Sequence, residues 1–117
     1  MTDIKKDQSK CDTLLVAVVQ SQDAEITEIK IGDQANSVTR LPSIGAFLGR
    51  RNATLLIGIP GQIKDKIVNI LHENCRQRVE FIAVPLESAP MPLPAPTPIN
   101  VGGATIFSLE VEHFEEF

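Results

Sequence analysis

The residues best suited to bind a ligand lie in one short segment, residues 44–59, with the sequence IGAFLGRRNATLLIGI. The segment holds an aromatic ring at Phe47, two adjacent arginines, Arg50 and Arg51, and a side-chain amide at Asn52. An aromatic face, fixed positive charge and an amide could together hold a planar, negatively charged ligand such as a nucleotide. The same pattern also fits a β-hairpin in which Phe47 packs into the core and the arginines are solvated. The residues alone leave both interpretations open.

Length and composition indicate one small globular domain. The chain has 117 residues, of which 22% are charged and 43% are hydrophobic, a balance that disordered chains do not have. Its formal net charge of -4 argues against a nucleic-acid binder, which needs many cationic contacts to phosphate. We predict a flexible tail over residues 1–12 and a single domain over residues 13–117, with a proline-rich loop at residues 85–103.

The sequence also restricts location and chemistry. Cys11 and Cys75 form no Cys-x-x-Cys pair, which favours a reduced cytoplasmic protein without a zinc site. The first ten residues are polar, and no apolar run approaches the ~20 residues that span a bilayer, so we expect no membrane insertion. No serine or cysteine has a recognisable base partner, so the sequence predicts neither an enzyme nor a bound cofactor.

Hydrophobic patterning predicts five strands, at residues 13–20, 37–41, 53–59, 79–84 and 105–111, and two helices, at residues 24–35 and 62–76. The first helix is ambiguous, because Ile26 and Ile29 suit a helix whereas Ile29 and Ile31 alternate as in a strand. This order predicts an α+β fold: a ferredoxin-like βαββαβ sandwich with both helices on one face and an additional C-terminal strand. Since no further segment can cover the opposite face, we expect the protein to oligomerise.

Six of the eight prolines lie in residues 85–103, and Pro90, Pro92, Pro94, Pro96 and Pro98 alternate strictly. Proline fixes its own φ angle, lacks a backbone donor and restricts the residue before it. The pattern therefore predicts an extended, polyproline-like surface loop without ladder hydrogen bonds.

Three blocks of sequence together carry a family resemblance. They are VAVVQSQD at residues 16–23, GAFLGRRNATLLIGI at residues 45–59 and VGGATIFSLEVEHFEEF at residues 101–117. With these blocks the chain resembles the PII-like cyclic di-AMP receptors, small trimeric bacterial signalling proteins with a ferredoxin-like protomer. The resemblance implies a homotrimer that binds a nucleotide second messenger between neighbouring protomers and relays it through mobile loops to a partner protein of unknown identity.

The resemblance also implies which residues contact the ligand. Phe47, with Leu48 beside it, matches the phenylalanine that stacks on adenine, and Asn52 matches an asparagine after the linker. Gly58 matches a glycine within the third strand, and Phe107 matches a phenylalanine of the last strand. The predicted ligand-binding set is Thr39, Ala46, Phe47, Leu48, Arg50, Arg51, Asn52, Gly58 and Phe107. The implied ligand is cyclic di-AMP or another adenine nucleotide.

The chain departs from the family pattern near two of these positions. Where the family's second strand carries Asn-x-Arg-x-Thr, this chain has Ala35, Ser37 and Thr39, so only the threonine is kept. Before the last phenylalanine, Glu115 and Glu116 replace a His-Gln pair. These departures leave a second hypothesis open: a trimeric scaffold or interaction module that has lost the nucleotide site.

Overall fold

The computed structural model describes residues 10–42, 51–84 and 95–117. Its elements are β1 (Thr13–Gln20), α1 (Ser21–Gly32), β2 (Ser37–Pro42), β3 (Asn52–Ile59), a 3-10 turn (Gly61–Ile63), α2 (Lys64–Cys75), β4 (Arg78–Val84), β5 (Ala95–Val101) and β6 (Ala104–Glu110). The predicted α+β fold with a βαββαβ core and an added strand is confirmed, with β5 as a further strand. Within the described ranges, no helix is long and apolar enough to cross a membrane.

The strands divide into two sheets. The larger is antiparallel, with the order β2-β3-β1-β6. In the expected βαββαβ unit, the fourth strand, β4, would lie beside β1. β6 occupies that position instead, so β4 lies outside this sheet. It pairs instead with β5 in a separate two-stranded sheet, which we call the ribbon.

Both helices cover one face of the larger sheet. Buried side chains alternate along its central strands, with Leu15, Ala17 and Val19 on β1 and Leu55, Ile57 and Ile59 on β3. The helices supply Ala24, Thr27 and Ile31 from α1, and Ile67, Leu71 and Cys75 from α2. The period of two on the strands and of three to four on the helices brings these side chains into one core.

Helix α1 buries a different face from the one that its isoleucines suggested. Ile26 and Ile29 are exposed, whereas Thr27 is fully buried beside α2. The Thr27 hydroxyl donates to the carbonyl oxygen of Asp23 at 2.7 Å and lies 3.3 Å from the sulfur of Cys75. Because its hydroxyl is satisfied in this way, a polar residue fills a core position. The predicted helix is confirmed, although it begins and ends three residues earlier.

The prediction that residues 85–103 lack ladder hydrogen bonds is wrong for residues 95–101. These form β5, which pairs with β4 along its whole length. Pro96 and Pro98 are two residues apart, so the backbone nitrogens of both point to the same edge of β5. The backbone N–H groups that proline lacks can therefore both belong to the edge that faces away from β4. Residues 85–94 of the predicted loop lie outside the described part of the chain.

The segment before β1 contacts the domain. Cys11, assigned to the tail by the sequence analysis, is buried, and burial raises the pKa of its thiol. The Asp12 carboxylate accepts hydrogen bonds from the Gly61 amide at 2.7 Å and from the Thr13 hydroxyl at 3.0 Å. Asp12 therefore ties the start of β1 to the turn that leads into α2. Residues 1–9 lie outside the described ranges.

Candidate functional site

The second face of the larger sheet, which we call the open face, carries no helix of the described residues. The strand registers arrange its side chains in rows that cross all four strands. One row is Thr39, Leu56, Val16 and Phe107; on either side of it lie the rows Ser37, Gly58, Leu14, Leu109 and Leu41, Thr54, Val18, Thr105. None of these twelve residues is charged. The open face is thus a largely apolar surface with a few hydroxyl groups.

Two residues of the predicted ligand-binding set, Thr39 and Phe107, share the middle row. They occupy its two ends, about 14 Å apart at the usual strand spacing. Phe107 is exposed on this face. An exposed ring on a flat sheet can stack on a base without rearranging the core. The fold therefore leaves the Phe107 ring available for the contact that the resemblance implies.

Gly58 lies under the C-terminal segment of the same chain. A Cβ atom at this position would lie 3.0 Å from the sulfur of Cys11 and 3.7 Å from the Phe114 ring. A glycine here lets Cys11 and Phe114 pack closely on the sheet. The contacts of Gly58 within the protomer are thus packing contacts of its own chain.

Asn52 lies at the other end of β3 and lines a pocket of about 240 Å³. Gln20, Gln77 and Thr105 also line this cavity, which we call the Asn52 pocket. Three amides and one hydroxyl supply both donors and acceptors and no net charge. Such a lining suits the polar edge of an uncharged ring system better than it suits an ion.

Arg51 stands immediately before this pocket. Its carbonyl oxygen accepts a hydrogen bond from the Ser21 amide at 2.9 Å, which fixes the point where the linker joins β3. The Arg51 residue itself is exposed. A positive charge thus lies next in the chain to the neutral lining of the Asn52 pocket.

The wall of the pocket is built by the connection between β5 and β6. The amide of Gly102 donates to the side-chain oxygen of Gln20 at 2.7 Å, and the amide of Gly103 donates to the Cys75 carbonyl oxygen. Both glycines have positive φ angles, 86° and 97°. A side chain at Gly102 would collide with the carbonyl oxygen of Arg76. The wall therefore depends on two residues that have no side chain.

An ion pair fixes the base of the ribbon beside the pocket. The Arg78 guanidinium donates to both carboxylate oxygens of Asp23, at 2.8 Å and 3.4 Å. The Asp23 side chain is almost buried and belongs to the first turn of α1. This bidentate contact raises the pKa of Arg78 and joins the start of β4 to α1.

The predicted set is therefore spread over the molecule. Asn52 and Gly58 are six residues apart on β3, about 20 Å in an extended strand, so one adenine cannot contact both in the same protomer. Thr39 and Phe107 lie between these two ends. Ala46, Phe47, Leu48 and Arg50 lie outside the described residues, and their contacts stay predictions.

Three residues of the Asn52 pocket were not predicted from the sequence: Gln20, Gln77 and Thr105. Gln20 lies in the VAVVQSQD block and could have been found from that match. Gln77 is 57 positions after Gln20 and 25 after Asn52, and no local pattern joins them. Only the placement of the ribbon beside the ends of β1 and β3 brings Gln77 into the pocket.

The βαββαβ core with its extra strands defines a PII-like α+β protein. The chain belongs to the cyclic-di-AMP receptor family, whose family model matches residues 12–117. Its structure is similar to the crystal structure of a functionally unknown protein from Pediococcus pentosaceus ATCC 25745, with a TM-score of 0.72 and 31% sequence identity. That similarity covers 93% of this chain and 100% of the other.

Proposed function

We propose that the protein is a homotrimeric receptor that binds cyclic di-AMP at three sites, each between two neighbouring protomers. On binding, its loops change the surface that they offer to a partner protein. The observation that carries the proposal is the Asn52 pocket, a neutral amide-lined cavity next to an arginine-bearing linker in a member of this family. The second messenger has matching parts: flat adenines with donors and acceptors at their edges, and two phosphates.

Each part of the ligand has a suitable group in the chain. The side-chain amides of Asn52 and Gln77 can pair with an adenine edge, which presents one donor beside one acceptor. Arg50 and Arg51 supply charge-assisted hydrogen bonds to phosphate oxygens. Phe47 stacks on a base, an interaction that contributes about 1–3 kcal/mol. The acidic net charge is compatible with this function, because only a local positive charge is needed.

The separation of the predicted residues supports a site between protomers. Asn52 lies four residues along β3 from the row that holds Thr39 and Phe107, about 14 Å in an extended strand, so one adenine contacts both places only if two copies contribute. The linker residues and Asn52 then come from one protomer, and Thr39 and Phe107 from its neighbour. Such a site exists only in the oligomer, which couples ligand binding to assembly.

Isothermal titration calorimetry with cyclic di-AMP tests the proposal. We expect one ligand per protomer for the wild-type protein, and weaker binding of cyclic di-GMP. Phe47→Ala should weaken binding about tenfold to a hundredfold, and Asn52→Ala about tenfold. Asn69→Ala makes the same change as Asn52→Ala at an exposed position of α2 and should bind as wild type does. The absence of any heat with cyclic di-AMP, ATP, ADP or AMP would reject a nucleotide receptor.

One observation favours the second candidate, a trimeric interaction module without a nucleotide. Ala35, at the position of the family's asparagine, is buried in the hydrophobic core. Its methyl group packs in the interior and offers no polar contact to a ligand. If this candidate holds, Phe47→Ala leaves partner binding unchanged, and cyclic di-AMP has no effect on the protein.

A further inference from the structure

A second cavity, of about 350 Å³, lies on the helix side of the larger sheet, between the end of α2 and the start of β6. We call it the α2–β6 cavity. Its size falls within the range of about 300–1,000 Å³ that is usual for small-molecule sites. The side chains that shape it come from two places, Leu71, His72, Cys75 and Arg76 at the end of α2 and Ala104 and Ile106 on β6.

The end of α2 gives this cavity an apolar floor and a mouth with two basic side chains. Leu71 and Cys75 are four residues apart, so they form one row along the helix, and both are buried. His72 and Arg76 follow them by one position and are exposed. Ile106 packs against the core and completes the floor. Because burial raises the pKa of the Cys75 thiol, the sulfur is uncharged and acts as an apolar group.

The charges around the mouth favour an anion. Among the residues that the structure describes, no carboxylate pairs with Arg76, whereas Arg78 is paired with Asp23. The described residues that line the cavity include no acidic side chain, although the whole chain has a net charge of -4. Carbonyl oxygens at the end of a helix repel anions, but that of Cys75 accepts a hydrogen bond from the Gly103 amide and that of Arg76 accepts one from the Arg78 guanidinium. The positive charge of Arg76 therefore dominates the mouth.

We propose that the α2–β6 cavity binds a small organic acid, with its hydrocarbon part on the floor and its carboxylate at Arg76. A cavity of about 150 Å³ holds a benzene ring, so this one has room for a ring and a short acidic arm. A guanidinium can donate two parallel hydrogen bonds to a carboxylate, which fixes the orientation of the acid. The cavity shares Gln77, Gly103 and Ala104 with the Asn52 pocket but has an apolar floor in place of amides, so the acid binds whether or not a nucleotide does.

Phenylpropionate is a suitable probe, because it joins a benzene ring to a carboxylate, and phenylpropanamide is the matching molecule without the charge. Ligand-observed NMR titrations of the full chain without nucleotide give the Kd of each. We expect saturable binding of the acid and about tenfold weaker binding of the amide. Arg76→Gln should weaken binding of the acid about tenfold and leave binding of the amide unchanged. Lys66→Gln removes an exposed positive charge from α2 at a position that does not line the cavity, so it should bind the acid as wild type does.

A second pair of variants tests the apolar part of the cavity. Ala104→Leu extends a side chain into the cavity and should weaken binding of both the acid and the amide at least about tenfold. Ser108→Leu places the same side chain four residues further along the same side of β6, outside the cavity, and should bind both as wild type does. Circular dichroism should show that all four variants are folded.

Four results would each overturn the inference. They are the absence of saturable binding of phenylpropionate to the wild-type protein, equal affinity for the acid and the amide, an equal loss of affinity in Arg76→Gln and Lys66→Gln, and wild-type affinity in either Arg76→Gln or Ala104→Leu. A cavity that is covered in the assembled protein gives the first of these results. The calorimetric titration with cyclic di-AMP decides on the nucleotide separately.

Discussion

Gly102 shows how one residue supports both the ribbon and the Asn52 pocket. Its φ angle of 86° is rarely adopted by residues with a side chain, and an added Cβ would collide with the Arg76 carbonyl oxygen. We expect Gly102→Ala to lower the free energy of unfolding by about 1–3 kcal/mol or more, measured by urea denaturation. Gly32→Ala is the control, since nothing lies within 4 Å of its added Cβ. Gly32→Ala should leave the free energy of unfolding unchanged or raise it slightly. An equal decrease of this free energy in Gly102→Ala and Gly32→Ala would contradict the explanation.

Asp12 gives the protein a predictable response to acid. Its carboxylate accepts hydrogen bonds from the Gly61 amide and the Thr13 hydroxyl, which lower its pKa below the ordinary 3.8. A lowered pKa in the folded state stabilises the fold above pH 3.8, and this contribution is lost as the pH falls through the folded-state pKa. In melting experiments, Asp12→Asn should therefore lose less stability than wild type on acidification. The matched variant Asp33→Asn, at an exposed position after α1, should melt as wild type does across this range.

At the scale of elements, the sequence predicts strands better than it predicts the first helix. β1 is found at the predicted residues because a continuous β-branched run predicts a central strand buried on both faces, although in the protomer one face is buried and the other is half-buried. Which face of α1 is buried could not be predicted, because Thr27 occupies a core position and threonine is not counted as hydrophobic in the sequence pattern. β5 was not predicted, because alternating prolines usually prevent a segment from pairing in a sheet. The structure shows that one edge of this segment still pairs with β4.

The orientation of α1 has a direct test in two isoleucines of the same helix. Ile31 is fully buried, whereas Ile29 is exposed. Ile31→Ala should lower the free energy of unfolding by about 2–5 kcal/mol, because it removes core contacts and leaves a cavity. Ile29→Ala should change it by less than about 0.5 kcal/mol. Similar losses from the two substitutions, measured by chemical denaturation, would show that the helix packs with another face.

At the scale of the whole molecule, the sequence predicts the parts of the site but not how the fold brings distant segments together. Phe107 and Thr39 could be selected from family motifs, and the registers place both on the open face. The separation of about 20 Å between Asn52 and Gly58 already follows from the predicted strand at residues 53–59. Gln77, in the connection between α2 and β4, joins the pocket only through the fold. The pattern of one chain indicates that the open face needs a cover, but it does not indicate what supplies that cover.

A site shared between copies predicts that assembly and ligand affinity depend on each other. Leu109→Glu keeps every residue of the predicted ligand-binding set but places a charge on the exposed, apolar open face, which should disrupt the trimer. We therefore expect its affinity for cyclic di-AMP to fall at least about a hundredfold in calorimetry. Ile29→Glu places the same charge at an exposed position of α1, away from the open face, and should assemble and bind as wild type does. By reciprocity, cyclic di-AMP should shift the wild-type protein toward the trimer at low protein concentration, observed by mass photometry. Wild-type affinity in a monomeric Leu109→Glu protein would place the whole site within one protomer.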